Sequence, residues 1–425
     1  MNHSTCPPAD VAVTNGSGNE HRRAHFTLDH GTSFWVSAGV VAHTLWTSAA
    51  PSMTYQLYAA QWHLTQTVTA GVFAVYPIAV VTILILFGDL SDHIGRRATM
   101  LLGLGASLMG VLILAVAPSV AWLFLARAFM GIGVGLSAGP STAALVEFNA
   151  GGSSRRASMV ATVAQGVGFA AALILGGAFV QYGPWPMHLV FWMLAALLTL
   201  LLAATWFLPR HAGPGPVETW RPRLPSVPRR TRKAFVIAAV AMMTAYTHGV
   251  MILSLGGQVA HDLVDSRNAL VNGTILAVFA ITSGVVGILA KPLPARVAMI
   301  VGASASAAGM GLLALAAAWH RLPIFMAATA MTGTGYSLLF LSALEVINHA
   351  TPSSRRGGVL SALYLLAYLS MGVVAAVLGR VATIHGLRFS VDLGVGIIAL
   401  LSFVTLGLAV AVLRSADLRT LLEEG

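Results

Sequence analysis

The sequence predicts an all-α membrane protein: twelve transmembrane helices in two parallel six-helix repeats. Three observations carry this reading. Only 9% of the 425 residues are charged and 57% are hydrophobic, against roughly 25% charged in an ordinary soluble domain. A mean hydropathy of +0.80 implies more apolar surface than a soluble core can hide. Stretches free of Asp, Glu, Lys and Arg recur at the length of a bilayer crossing, about 20 helical residues. Finally, the polar run Ser153-Ser154-Arg155-Arg156 returns 200 residues later as Ser353-Ser354-Arg355-Arg356, which marks an internal repeat.

Taken in order, residues 1–30 are polar, with Asp10, Glu20 and Asp29 and without the apolar run of a cleaved leader. They read as a disordered cytoplasmic tail. Residues 30–88 form one uncharged stretch of 59, long enough for two spans with a turn near Ala59 to Gln66. Windows 98–126 and 128–146 give the third and fourth spans, interrupted only by Arg127, with Pro118-Ser119 as the turn. The 53 uncharged residues 157–209 are divided by Tyr182-Gly183-Pro184-Trp185-Pro186, whose prolines and glycine break a helix. From Pro209 to Lys233 the chain is rich in proline and base and reads as a linker. Windows 234–261, 268–290, 297–320, 322–344, 357–379 and 393–413 complete the twelve. The expected organisation is a first bundle over 31–209, a cytoplasmic linker over 210–233, a second bundle over 234–414 and a tail over 415–425.

A formal net charge of +10 would suggest nucleic acid in a soluble chain, but here the bases lie between the spans. With the N-terminus inside, 19 of the 24 Lys and Arg fall on the cytoplasmic side, four fall outside, and Arg127 lies within a span. This positive-inside bias predicts a multi-pass protein of the inner (plasma) membrane with both termini cytoplasmic. Cys6 is the single cysteine, so an intrachain disulfide or a cysteine metal cluster is excluded.

The loop after the second span reads Gly88-Asp89-Leu90-Ser91-Asp92-His93-Ile94-Gly95-Arg96-Arg97. It resembles the signature G-x-L-[AS]-D-[RK]-x-G-R-[RK] of the major facilitator superfamily, with His93 where that family has a base. Twelve spans, the long middle linker and the half-repeat agree with this resemblance along nearly the whole chain. The resemblance implies a solute site at the midplane between two bundles that rock on one another. It also implies a conformational latch built from Gly88, Asp92, Gly95, Arg96 and Arg97. In that latch Asp92 faces the N-terminal end of the eleventh span near Gly357-Gly358, and Arg96 pairs with Glu147 at the end of the fourth. An acid at a helix N-terminus is favoured by the helix dipole.

The fourth span carries Arg127 and then Gly131, Gly135 and Gly139 at every fourth residue, a stripe suited to close helix approach. A charge within lipid is expensive, so Arg127 is expected to face a water-filled cavity or a partner. His43 and His248 lie in the first and seventh spans, each the leading helix of its half, and histidine can carry a proton near neutral pH. With Trp46 beside His43 and Tyr246 beside His248, they are candidates for a cavity that binds substrate or protons. Gln165, Thr332 and Tyr336 are further candidates for its lining. Enzymatic readings fail: Gly135-Leu136-Ser137-Ala138-Gly139 sits in an apolar helix rather than a strand-to-helix elbow, and Gly131-Ile132-Gly133 follows no strand.

The expected function is secondary transport of a small organic molecule, proton-coupled, with an outward direction implied by resemblance to efflux members of the superfamily. Uptake of an organic anion such as a carboxylate, or a receptor on the same scaffold, are the alternatives. The expected partners are the solute, protons and the lipid bilayer, with no cofactor, no metal, no nucleic acid and a monomeric chain. Orientation is testable through Cys6: a membrane-impermeant thiol reagent should leave it unlabelled in intact cells and label it after lysis. Equal labelling before and after lysis would place the N-terminus outside.

Overall fold

The computed structural model describes residues 27–88, 90–149, 154–209, 227–290 and 292–412. The expected N-terminal tail, most of the linker and the C-terminal tail, with Cys6, lie outside these, as does the side chain of Asp92. Among the described residues twelve long helices run in chain order: α1 (His30–Ala49), α2 (Gln66–Phe87), α3 (Arg96–Ala115), α4 (Val120–Glu147), α5 (Ser154–Tyr182) and α6 (Leu189–Trp206). Then follow α7 (Arg232–Gly249), α8 (Ala269–Leu289), α9 (Ala295–Trp319), α10 (Leu322–Ala350), α11 (Ser353–His385) and α12 (Leu387–Val412). Eleven of them are long and apolar enough to cross a membrane. The one outside that set, α1, is 20 residues long but carries Ser33, Ser37, His43, Thr44, Thr47 and Ser48, all buried inside the protein. Polar groups that cannot face lipid are turned inward.

The helix ends follow local chemistry. Asp29 caps α1, its carboxylate accepting from the amides of Gly31 at 2.9 Å and Thr32 at 3.1 Å. The Thr32 hydroxyl and these amides hold the Asp29 carboxyl below its usual range. Asn268 caps α8 by accepting from the amide of Val271 at 3.1 Å. Gly386, at φ 87°, ends α11. Gly95, at φ 88°, turns the chain from the short helix Leu90–Ile94 into α3, a conformation that favours glycine. The α7 span continues as two π-helical turns, Val250–Ser254 and Val259–Leu263, around Gly256–Gln258.

Helix contacts sort into two sets. In the first half α4 packs on α1, α2 and α3, and α5 packs on α1; in the second α10 packs on α7, α8 and α9, and α12 on α7 and α9. The halves meet along α2 against α11 and α5 against α8. At the end bearing the α1–α2 turn this junction is closed. The amide of Thr67 donates to the Thr383 hydroxyl at 2.9 Å, and the amide of Ala269 to Gln181 at 2.8 Å.

The repeat is visible in the packing, but its register differs from the shift of 200 that pairs Gly133 with Gly333 and Gly135 with Gly335. Gly131 lies on the α2 backbone at Tyr76, and Gly333 on the α8 backbone at Phe279. Likewise Gly133 packs on Ser107 of α3, and Gly335 on Ser306 of α9. The glycines of α4 thus correspond to those of α10 at a shift of 202, because packing partners rather than loop positions define equivalence. The expected stripe also divides: Gly131 and Gly135 meet α2, whereas Gly139 has nothing within 4 Å.

A tight approach lies between α3 and α4, where a Cβ on Gly133 would lie 2.5 Å from the Gly103 carbonyl oxygen and closer still to the Ser107 hydroxyl. Gly133→Val should destabilise the first half by about 1–3 kcal/mol, the usual cost of overpacking. Gly139→Ala should change stability by less than about 0.5 kcal/mol. Thermal melts of the purified variants in detergent decide this, and equal melting points would contradict the packing argument.

Candidate functional site

A chain of aromatic rings crosses the junction between the halves. Phe169 of α5 meets Phe279 of α8 edge-on at 5.9 Å between centroids, and Phe279 meets Tyr336 of α10 at 5.4 Å. Tyr336 stacks with Phe340 one turn on, at 6.0 Å. Tyr246 of α7 is the hub: it lies 6.4 Å from Tyr336, 6.4 Å from Tyr364 and 4.8 Å from Tyr368. Tyr364 and Tyr368, four residues apart on α11, share one helix face. Tyr368 lies on α11, which packs against α2, the helix of Tyr76 in the first half. The four tyrosines of the second half are half-buried, as groups at an internal cleft are.

Tyr76 carries the arginine. Arg127 has no exposed surface; its guanidinium lies 4.4 Å over the Tyr76 ring and 5.9 Å from the Phe73 ring. Nη1 donates to the Ser48 carbonyl at 3.3 Å, while Nε and Nη2 are buried without a partner. Among the described residues no carboxylate pairs with it. The side chain therefore does not reach for the outer interface; it is held inside by α1 and α2. A buried charge without a counter-ion costs several kcal/mol, so its retention points to use.

His43 and His248 are placed differently from Tyr246 and Tyr336. Two residues apart on one helix, Tyr246 and His248 take opposing faces: the tyrosine meets the ring cluster and the histidine turns into its own bundle. There His248 Nδ1 donates to the Ala245 carbonyl at 3.2 Å, and Nε2 lies 3.0 Å from the Ser306 hydroxyl of α9. Ser306 lies 2.7 Å from the Ser402 hydroxyl of α12, which contacts the Ile398 carbonyl at 2.7 Å. His43 repeats the motif in the first half, with Nδ1 on the Val40 carbonyl and Nε2 3.4 Å from the Ser107 hydroxyl of α3. Trp46 is half-buried, with its indole nitrogen unpartnered. Thr332 is spent on packing against Gly309 of α9 and on bonds to Ala328 and Thr329. Gln165 is half-buried beside the α5–α8 contact.

At the other end of the first half, Arg96 pairs with Glu147 and donates to the Ala143 carbonyl at 3.1 Å, tying α3 to α4. Arg97 donates to the Leu208 carbonyl at 3.0 Å and lies 5.5 Å over the Trp206 ring. These groups, with His93 and Gly95, line a cavity of about 550 Å3. Gly88 packs on the Leu84 carbonyl. All of this lies within one half, away from the ring cluster.

Sequence reasoning missed Tyr55, Tyr76, Phe340, Tyr364 and Tyr368, and the serines that face the two histidines. The signal was present: Tyr336 with Phe340, and Tyr364 with Tyr368, are aromatic pairs at a spacing of four.

The described site thus joins a buried, counter-ion-free arginine in one six-helix half to an aromatic cluster in the other. Comparison with known proteins bears on the fold. The fold matches the nucleoside transporter NupG, with a TM-score of 0.67 at 14% identity over 89% of this chain and 98% of that one. It also matches a POT family transporter solved with a thioalcohol-conjugated peptide, at 0.72 and 14% identity over 91% of this chain and 95% of that one. The Inner membrane transport protein YajR of Escherichia coli (strain K12) is 32% identical over 127 residues. Those residues are 30% of this chain and 27% of YajR. A sequence model of the Major Facilitator Superfamily matches residues 35–375, and the chain belongs to that superfamily as a multi-pass membrane transporter.

Proposed function

We propose that this transporter moves a small organic solute by alternating access between its two halves, coupled to protons, and that the solute is neutral, zwitterionic or anionic. The carrying observation is Arg127: a fixed positive charge in a low-dielectric interior, without a carboxylate partner among the described residues. A permanent cation would meet that charge where electrostatic interactions are several-fold stronger than in water. Outward transport, with both termini in the cytoplasm of an inner membrane, follows from the sequence resemblance and the distribution of bases. The unpaired arginine also favours a second reading, uptake of an organic anion. Flux measured in proteoliposomes with a pH gradient of either sign separates the two directions.

Arg127→Met should abolish flux, and Arg127→Lys should retain a little, since it restores charge but not the planar fork. Because no counter-ion is stranded by its removal, Arg127→Met should also melt at the same temperature as the parent or higher in detergent. Unchanged flux, or a variant that melts lower, would contradict the proposed role.

Support for proton coupling lies in a count. Four contacts link the Ala245 carbonyl, His248, Ser306, Ser402 and the Ile398 carbonyl. Each contact needs one proton, and a neutral imidazole with two hydroxyls supplies three. An imidazolium supplies the fourth. The neighbours facing His248 are hydroxyls, and no ion pair of the described residues includes it. His248→Ala should uncouple uphill flux from the pH gradient while leaving solute exchange at equal pH; His43→Ala should weaken coupling less, its serine contact being longer. Full pH-driven flux in His248→Ala would remove this histidine from the proposal.

A further inference from the structure

We infer that the solute class is an aromatic carboxylate, bound with its carboxylate on the free edge of Arg127 and its ring against the tyrosine cluster. This rests on the anion reading of Arg127 given above and adds what the anion is attached to. The geometry of the guanidinium supplies the first part. Nη1 is engaged by the Ser48 carbonyl and one face by the Tyr76 ring, while Nε and Nη2 are the unpartnered nitrogens. The N–H bonds of those two atoms point the same way along one edge of the planar group. That edge is the fork a carboxylate accepts from in a bidentate pair. A second donor lies nearby: the hydroxyl of Tyr55, buried and also unpartnered, is within electrostatic reach of Arg127. Three orphaned donor atoms around one positive charge describe an anion site, and a planar two-oxygen anion fits its two-pronged edge.

The second part comes from what adjoins the edge. Tyr76, on which the guanidinium rests, belongs to α2, which packs against α11, the helix of Tyr368, and Tyr368 meets Tyr246 edge-on, at 78° between ring planes. Tyr246 is surrounded by Tyr336, Phe340 and Tyr364 at 6.3 to 6.4 Å. Those separations are at the wide end of ring contacts, which run about 4.5–7 Å. The cluster offers ring edges, ring faces and phenol hydroxyls to a flat guest, and a carboxylate anchored in the first half would project its ring toward the second. In the state described the Arg127 edge is sealed, so occupancy requires the halves to part, which is the motion the proposed transport uses.

The test uses the full-length protein in detergent and three probes of similar size: benzoate, cyclohexanecarboxylate and benzamide. Thermal melts are read as a function of probe concentration. Benzoate should raise the melting temperature, with cyclohexanecarboxylate and benzamide at least about tenfold weaker in apparent affinity, since one lacks the ring face and the other the charge. Arg127→Met should lose the benzoate response while still melting cooperatively, and Tyr55→Phe should weaken it severalfold. Tyr368→Leu should bring benzoate and cyclohexanecarboxylate to similar affinities. Equal responses of the parent protein to benzoate and cyclohexanecarboxylate would overturn the aromatic class and leave the anion reading standing. Benzamide binding as well as benzoate, with Arg127→Met unaffected, would overturn both. No response to either carboxylate at tens of millimolar would overturn the inference.

Discussion

Lipid offers no hydrogen-bond partner, and this one constraint organises the protein. Every polar side chain within a span must be answered inside the protein. In the polar stripe of α1, Ser37 donates back to the Ser33 carbonyl, Thr44 to that of Val41, and His43 contacts Val40 and Ser107, while the hydroxyls of Ser33 and Thr47 are buried without a partner. The helix too polar for lipid becomes a centre of its bundle, with α4, α5 and α6 around it. Arg127 is the limiting case, a charge that cannot leave and is answered only by a carbonyl and an aromatic face. Groups that this internal accounting leaves without partners are therefore the places where something from outside the chain belongs.

The two halves are built alike and equipped differently. Each places a histidine on its first helix against a serine on its third, His43 on Ser107 and His248 on Ser306. Each also sinks a glycine of its fourth helix onto that serine. At the shift of 202 that the glycines define, however, Arg127 corresponds to Thr329, while Tyr336 and Phe340 correspond to Val134 and Ala138. One half thus carries the charge and the other the rings. A guest that touched both would be polarised along the line between the halves.

Much of this was legible in the sequence because the bilayer makes charge a punctuation mark. The spans could be counted from where Asp, Glu, Lys and Arg are missing, and Arg127 stood out as the exception. The motif of 88–97 was readable through its resemblance to the superfamily signature, and in the structure Gly95 takes a positive φ and Arg96 pairs with Glu147. The direction a side chain faces was harder. In a helix apolar all round, hydropathy does not separate the lipid face from the core face. Thus Tyr246 and His248 read as neighbours although they face apart, and Gly139 read as a contact although it meets open space. Repeat register failed for a related reason: the loop match at 200 does not carry into the fourth and tenth helices, whose packing partners set a shift of 202.

Glycine-to-backbone contacts occur both within the halves and at the junction between them. Within the first half, Gly133 and Gly103 bring α3 and α4 into backbone contact, so separating them would open a void along the interface, at several kcal/mol. At the closed end of the junction the polar ties are few: Thr67 to Thr383 and Gln181 to the Ala269 amide. A neutral hydrogen bond contributes about 0.5–1.5 kcal/mol net. The glycines there, Gly177 against Ala269 and Gly379 against Ala70, add smooth contact without interlocking side chains. A carboxylate that satisfied the Arg127 edge would gain charge-assisted bonds of about 1.5–3 kcal/mol each, comparable to the ties at the closed end.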